Sequence, residues 1–226
     1  MAHRIFPHGP LEPLLPGLWR VVGSLAFPLK RNMFVYRLPD GGLLLYSVVA
    51  LDEAGMSSLE ALGAPAWMIV PHAMHTMDAA FYAARYPRMK IAAPAALTEL
   101  RARLRVDATP EEAFAPLGLG VHPIPGTKCS ETVLELPVEG GRALLFTDLL
   151  GRAEGKPNLL MRLLGAPGGE GVARIVKLRQ LSDRGAVRAF LERMAELPGL
   201  RLVAGCHGAP IVEGCAGWLR AAAAGL

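Results

Sequence analysis

The sequence has few of the features that mark secreted, membrane-spanning or nucleic-acid-binding proteins. Its 226 residues include only three cysteines, Cys129, Cys206 and Cys215. An odd number of cysteines without framework spacing argues against a disulfide-stapled secreted domain. The longest apolar run, around residues 43–51, is far shorter than the ~20 residues that span a bilayer. Since no apolar signal segment is found near the N-terminus, we expect a cytoplasmic protein without a membrane partner.

Charged residues are also scarce, at 19% of the chain. The net charge of +4 is spread along the sequence. The densest basic stretch, residues 101–105, is typical of the solvated face of a helix, because a nucleic-acid footprint is larger. We therefore expect no nucleic-acid partner. Hydrophobic residues make up 52% of the chain, which excludes intrinsic disorder and is compatible with a homodimer.

The first half of the chain begins with β patterns and continues with alternating strands and helices. Three strands are predicted, over residues 18–25, 33–38 and 43–49, and the turn signal between the last two predicts a hairpin. Asp52 opens a helical pattern, and Gly63 supplies its C-cap. The elements that follow are strands over residues 67–70 and 89–92 and helices over residues 76–86 and 95–104.

The second half again places strands before alternation. Runs over residues 132–138 and 143–146 flank a glycine turn and predict a second hairpin. Residues 151–171 are rich in Gly and Pro and predict a long loop, a feature that is often functional. The other expected elements are a strand over residues 120–124, an amphipathic helix around residues 187–194, a strand over residues 201–204 and a terminal helix over residues 218–224.

These patterns favour one mixed α/β domain. No linker or internal repeat divides the chain, so we expect a single domain over residues 1–226, with residues 1–16 as an N-terminal extension. Two β-rich halves that each carry helices favour a four-layer αββα sandwich of two mixed sheets with outer helices. One open, doubly wound parallel sheet is the alternative, and the two predicted hairpins weigh against it.

Polar residues follow three of the expected buried strands. His72 and His75 follow the strand at residues 67–70, and Asp148 and His207 each follow a later strand. The carboxyl ends of strands are where ligand sites form in α/β sheets. Imidazole and carboxylate are ligands that zinc accepts and that also suit iron and manganese. The coincidence therefore predicts a metal site, while each residue alone is explained equally well as a cap or turn former.

Four further residues have chemistry to consider. Asp78 lies in the first turn of an expected helix, where a carboxylate stabilises the helix dipole. His122 falls inside an expected strand, where packing is favoured over ligation. Cys129 is a candidate ligand or reactive thiol, with Lys128 as its only local activating neighbour. The sequence contains no nucleophile elbow, P-loop or dinucleotide fingerprint.

The order of elements resembles the metallo-β-lactamase superfamily over nearly the whole chain, residues 18–218. The text "LWRVVG…NMFVYRLPDGGLLLYSVV" looks like that family's first sheet, and "WMIVPH" looks like the strand before its H-x-H-x-D-H metal motif. Here the motif position reads "HAMHTMD". His72 and His75 resemble its two histidines with an extra residue between them, and Asp78 resembles its Asp, one residue further along.

Two later positions of the family's metal site are kept, and one is lost. Asp148 in "LLFTD" resembles the bridging Asp, and His207 in "CHGAP" resembles the final His. The His that usually follows Pro-Gly is absent, because "IPGTKCSETVLEL" has Thr127 and Lys128 there. The resemblance therefore implies one zinc, iron or manganese ion rather than two, since a catalytic ion needs about three protein ligands and an open position.

The resemblance implies a metal-dependent hydrolase of an ester, thioester or lactone-like small molecule. Asp78 would act as general base or further ligand, Lys128 would orient an anionic substrate, and the loop at residues 151–171 would wall the pocket. The alternative is a non-catalytic binding or interaction protein that keeps the fold and has lost its metal, as the missing histidine suggests. The expected metal ligands are His72, His75, Asp148 and His207.

Overall fold

The computed structural model describes residues 3–26, 29–152 and 170–226. The chain divides into two compact units, Met1–Gly118 and Leu119–Leu226. Each unit has its own sheet and its own apolar core. The expectation of a single domain over residues 1–226 stays a prediction.

The first unit contains a six-stranded mixed sheet whose strands lie in chain order. They are β1 (Glu12–Leu15), β2 (Leu18–Ser24), β3 (Lys30–Arg37), β4 (Leu43–Tyr46), β5 (Pro65–Ile69) and β6 (Lys90–Ala92). Strands β1 to β4 pair antiparallel, and β4, β5 and β6 are parallel. The pairing of Arg37 with Leu43 closes the hairpin that the turn at residues 39–42 predicts.

The described residues of the first unit form four α-helices, and side-chain caps define the starts of two. They are α1 (Glu53–Glu60), α2 (Ala79–Arg85), α3 (Thr98–Arg101) and α4 (Pro110–Phe114). The Asp52 carboxylate accepts the Gly55 N–H at 2.8 Å and begins α1, as its sequence position predicts. At α4, Thr109 and Glu112 each accept the other's backbone N–H, which is a capping box.

Two expected helices of this unit are shorter than their apolar spacing predicts. The helix expected over residues 76–86 begins at Ala79, after a 3-10 turn at Ala73–His75. The helix expected over residues 95–104 is reduced to α3. Apolar spacing therefore locates these helices, while local turns determine where they end.

The second unit contains a four-stranded mixed sheet. Its strands are β7 (Gly120–Pro123), β8 (Thr132–Val138), β9 (Gly141–Leu145) and β12 (Leu200–Ala204), and a separate antiparallel pair is formed by β10 (Gly151–Arg152) and β11 (Glu170–Gly171). The order in the sheet is β12-β9-β8-β7. Strand β8 pairs antiparallel with β7 and β9, which confirms the second hairpin, and β12 is parallel to β9.

In the described part of the second unit, three helices cover the sheet with apolar side chains. They are α5 (Arg174–Arg179), α6 (Arg184–Ala195) and α7 (Cys215–Ala224). Phe190 and Leu191 of α6 and Leu219 of α7 are buried in one core with Phe146, which follows β9. The apolar residues of α6, which recur at i, i+3 and i+4, thus form the face that packs on the sheet, as the sequence predicts.

The predicted fold class is confirmed, because the chain combines two mixed sheets with several helices. The alternative of one open parallel sheet is wrong for the same reason. Strand β1 comes from residues that the sequence places in an N-terminal extension, and α4 and α5 were not predicted. Most of the expected loop at residues 151–171 lies outside the described residues. Within the described ranges, no helix is both long and apolar enough to cross a membrane.

Gly217 gives a stability prediction for the second unit. It is exposed in α7, and a Cβ built there meets no atom within 4 Å. We expect Gly217→Ala to raise the free energy of unfolding by about 0.5–1 kcal/mol, because alanine loses less backbone entropy in a helix. Urea titration measures this change. An unchanged or lower free energy of unfolding would show that α7 does not form as described at this position.

Candidate metal centre

Two strand ends of the second unit lie side by side and carry Asp148 and His207. Beyond the parallel pairing of β9 with β12, the Phe146 N–H donates to the Ala204 carbonyl at 2.7 Å. The return contact runs from the loop after β12 to Thr147, whose carbonyl accepts a backbone N–H at 2.9 Å. The sheet pairing therefore continues into both loops and brings the two side chains together, as their places after neighbouring strands predict.

The side chains of Asp148 and His207 are in direct contact. His207 Nε2 lies 3.2 Å from Asp148 Oδ1, and the two side chains are 22% and 7% exposed. This contact is an ion pair when the imidazole is protonated. It is also close to the separation of two ligands of one tetrahedral zinc ion, which is about 3.3–3.6 Å for bonds of 2.0–2.2 Å. The pair therefore fits an ion in both donor chemistry and spacing.

Two glycines bracket His207 and let its loop lie directly on a neighbouring backbone. A Cβ at Gly205 would lie 2.0 Å from the Leu150 carbonyl oxygen, and a Cβ at Gly208 would lie 1.8 Å from the Arg152 carbonyl oxygen. Gly208 also has a φ of 89°, a conformation that side chains disfavour. The backbone on both sides of His207 is therefore held by contacts that only glycine permits.

Glu131 lies behind Asp148 and was not singled out in the sequence. Its Oε1 accepts three consecutive backbone N–H groups, from Thr147, Asp148 and Leu149, at 3.0, 2.9 and 3.0 Å. The residue is 1% exposed. Burial and the charge of Asp148 raise the pKa of Glu131 to about 7, against the lowering effect of the three N–H groups.

The segment where the family places its other histidine has no ligand of that kind. The Thr127 hydroxyl donates to the Ile124 carbonyl at 3.0 Å and so closes its own turn. Lys128 is exposed, and its backbone N–H donates to the Gln180 carbonyl. Burial, followed by the charges of nearby carboxylates, raises the pKa of the Cys129 thiol. A raised pKa leaves less thiolate at neutral pH, which argues against a role for Cys129 as a reactive nucleophile.

In the first unit, His72 and His75 lie just after β5 and are both buried. The His72 Nδ1 accepts the Met74 N–H at 3.4 Å and caps the 3-10 turn. The His75 Nδ1 is 2.7 Å from the Ser47 hydroxyl. Because Nδ1 is engaged in both rings, Nε2 is the atom that each histidine would offer to a metal.

Ser47 is the partner of His75 and has an unusual backbone conformation. It follows β4 with a φ of 56°, in the left-handed region that non-glycine residues rarely adopt. Its hydroxyl orients the buried His75 ring, which is how the second nitrogen of a metal-binding histidine is commonly held. Strained residues of this kind cluster at functional sites.

Asp78 is surrounded by donors within the first unit. Its Oδ1 is 2.8 Å from His3 Nε2, and its Oδ2 forms an ion pair with the Arg31 guanidinium. The Oδ2 atom also accepts the Ala50 N–H at 2.8 Å, and the side chain is 1% exposed. A general base needs a lone pair that faces the substrate. These contacts therefore favour a structural role for Asp78 over the predicted roles of general base or ligand.

A cavity of about 520 Å³ opens in the first unit beside the turn that carries His72 and His75. Its walls combine apolar side chains with one residue of each charge, Glu99 and Arg103. The wall residues include Thr76, Met77, Leu97, Arg103 and Leu104.

No family model and no curated protein matches this sequence. Solved structures do match it. The metallo-β-lactamase FIM-1 from Pseudomonas aeruginosa, in its mono-zinc form, is 13% identical over 98% of this chain and 96% of its own, with a TM-score of 0.64. A metallo-β-lactamase from Hirschia baltica is 15% identical over 95% of this chain and 98% of its own, with a TM-score of 0.63. One from Erythrobacter litoralis is 16% identical over 99% of this chain and 96% of its own, with a TM-score of 0.61.

Identities this low define a fold and not an activity. The matches extend over nearly all of this chain and nearly all of each similar structure. They confirm the resemblance that the order of elements predicts. The chain has the metallo-β-lactamase fold.

Proposed function

We propose that this protein is a metal-dependent hydrolase that acts on an ester, thioester or lactone-like small molecule. The observation that carries the proposal is the 3.2 Å approach of His207 Nε2 to Asp148 Oδ1 at two adjacent strand ends. A carboxylate and an imidazole at this spacing suit one zinc ion, with iron or manganese as alternatives. The family resemblance adds His72 and His75 to the donor set.

The chain's own residues would divide the work of hydrolysis. A bound ion of this kind polarises a carbonyl and lowers the pKa of its water to about 7. Asp148 would supply the negative charge that retains the cation, and His207 would bind as a neutral imidazole. Lys128, which is exposed, would orient an anionic part of the substrate. Most of the loop that the sequence predicts over residues 151–171, and that would wall the pocket, lies outside the described residues.

A non-catalytic binding protein is the second candidate, and one observation favours it. Thr127 stands where the family has a histidine, and its hydroxyl is bonded within its own turn. A donor set that lacks this ligand holds a metal ion less tightly. In this case the fold would serve to bind a small molecule or another protein.

Metal content and hydrolysis separate the two candidates. The purified chain is incubated with zinc, iron or manganese, dialysed, and assayed for metal per chain and for hydrolysis of an aryl ester, an acyl thioester and a lactone. We expect one ion per chain and hydrolysis of at least one class that a chelator abolishes. Binding without hydrolysis of any class would contradict the hydrolase, and absence of binding would favour the non-catalytic candidate.

Location and assembly are further parts of the proposal. Three free cysteines support a cytoplasmic location. A small-molecule substrate, without a nucleic-acid or membrane partner, agrees with the low and dispersed charge. A homodimer is tested by light scattering on the purified chain.

A further inference from the structure

The register of the second sheet places Glu131 opposite Asp148. Strands β8 and β9 pair Leu134 with Leu145. Continued beyond this pair, the antiparallel register brings Glu131, which directly precedes β8, opposite Asp148, which follows β9. On its other side, the Glu131 carbonyl accepts the Ile124 N–H at 2.9 Å, which continues the pairing of β8 with β7. The backbone of Glu131 is therefore fixed by the sheet.

The Glu131 side chain uses this fixed position to hold the turn that carries Asp148. Its Oε1 accepts the N–H groups of Thr147, Asp148 and Leu149. Consecutive N–H groups that converge on one acceptor oxygen form a nest, and each of them is restrained by the same atom. The Thr147 carbonyl is bonded in addition to the Cys206 N–H at 2.9 Å, from the strand end beside His207. One side chain thus sets the backbone of the turn beneath Asp148.

Simple packing does not explain a carboxyl group at this place. Glu131 is 1% exposed, and burial of a carboxyl group is costly unless hydrogen bonds compensate it. An apolar residue of similar size would fill the space but would leave three N–H groups without their acceptor. The benefit of Glu131 is therefore the conformation of residues 147–149, from which the Asp148 side chain reaches His207.

We propose that Glu131 is the positioning residue of the metal site, which fixes the turn at residues 147–149 so that Asp148 presents its carboxylate to the ion. This inference rests on the proposed function, in which Asp148 binds a metal. Glu131 touches neither the ion nor the substrate in this role. Its contribution is to metal affinity and to the geometry of coordination, as expected for a residue that orients a ligand.

Three variants of the full-length protein test the role of Glu131. Glu131→Gln keeps an acceptor oxygen at the same reach, and Glu131→Met keeps the length without an acceptor. Glu135→Gln is the control, because Glu135 lies in β8, the strand that Glu131 directly precedes, and pairs with His122 and Arg142 instead. Zinc affinity is measured by competition with a chromophoric chelator, and coordination geometry by the absorption spectrum of the cobalt(II)-substituted protein.

We expect Glu131→Met to weaken zinc binding by about 10–100-fold and to alter the cobalt spectrum. Glu131→Gln and Glu135→Gln should stay within about threefold of the parent, because both keep the three N–H groups bonded. If Glu131→Met does not fold, by circular dichroism, Glu131→Asp replaces it, since the shorter side chain cannot reach all three groups.

Each outcome decides the inference. Parent-like affinity and spectrum in the variant without a suitable acceptor would overturn it, and so would a loss in Glu131→Gln as large as in Glu131→Met. Failure of the parent protein itself to bind zinc, iron or manganese would overturn the proposed function and this inference together. If the parent binds zinc and Glu131→Met binds it equally well, the inference alone is overturned.

Discussion

His207→Ala should abolish the stabilisation of the folded protein by zinc. A ligand that binds only the folded state at 100 times its Kd adds about 2.7 kcal/mol to the free energy of unfolding. The parent should gain this amount with zinc and lose it with a chelator. His207→Ala removes one of the two donors that approach each other at 3.2 Å, so its melting temperature should respond to neither reagent. Differential scanning calorimetry with and without zinc measures the effect.

The matched control for His207 is His122. It is also a partly exposed histidine of the second unit that contacts a carboxylate, with Nε2 at 2.7 Å from Glu135 Oε2. Its pair lies on β7 and β8, within the sheet itself and not in the loops that follow β9 and β12. His122→Ala should therefore keep the full zinc response. If His207→Ala and Asp148→Ala still respond like the parent, the ion lies elsewhere and the proposed site is wrong.

The fold could be predicted where a local pattern determines an element. Residues 132–138 are expected as a strand and form β8 with the same ends, because β-branched residues and flanking turns define them. The amphipathic stripe of α6 likewise follows from its spacing. Strand β1 is short and lies at the sheet edge, so it lacks the apolar run that marks an inner strand. The start of α4 carries a Thr-Pro-Glu-Glu signal that could have been recognised.

Only the part of the candidate site that directly follows buried strands could be predicted from the sequence. Asp148 and His207 each follow a buried strand, and adjacency of the strands then brings them together. Glu131 is recognised only once the register of β8 and β9 is known, because no local pattern connects it with residues 147–149. The Asp78 ion pair is a contact with Arg31, 47 residues away, and contacts of this separation have no sequence signature.

The histidine pair shows the same limit. Sequence spacing gives His72 and His75 equal standing as ligands, and both are buried. What distinguishes them is the partner of each Nδ1. The partner of His72 is a backbone N–H two residues away, while the partner of His75 is the hydroxyl of Ser47, 28 residues earlier. A side chain that orients an imidazole from another strand end is a tertiary feature, and it makes His75 the stronger of the two candidate ligands.

Gly208→Ala should destabilise the protein by about 2–5 kcal/mol. The positive φ of 89° costs an L-residue about 1–2 kcal/mol. The new Cβ would also lie 1.8 Å from the Arg152 carbonyl oxygen, and relief of such overpacking typically costs about 1–3 kcal/mol. Because the obstacle is backbone and not the end of a flexible side chain, the loop after β12 must move as a whole. Urea unfolding measures the loss, and the slope of the free energy of unfolding against urea concentration should stay unchanged.

Gly214→Ala separates the two contributions. Gly214 also has a positive φ, of 62°, but a Cβ built there meets no atom within 4 Å. Its alanine variant should therefore lose only the conformational part, about 1–2 kcal/mol, and should keep the parent's zinc affinity. Gly208→Ala should lose both stability and zinc affinity, since the segment that must move carries His207. Equal losses of stability in the two variants would show that the His207 loop does not rest on the backbone of residue 152, and the fixed presentation of His207 would then have no basis in its glycines.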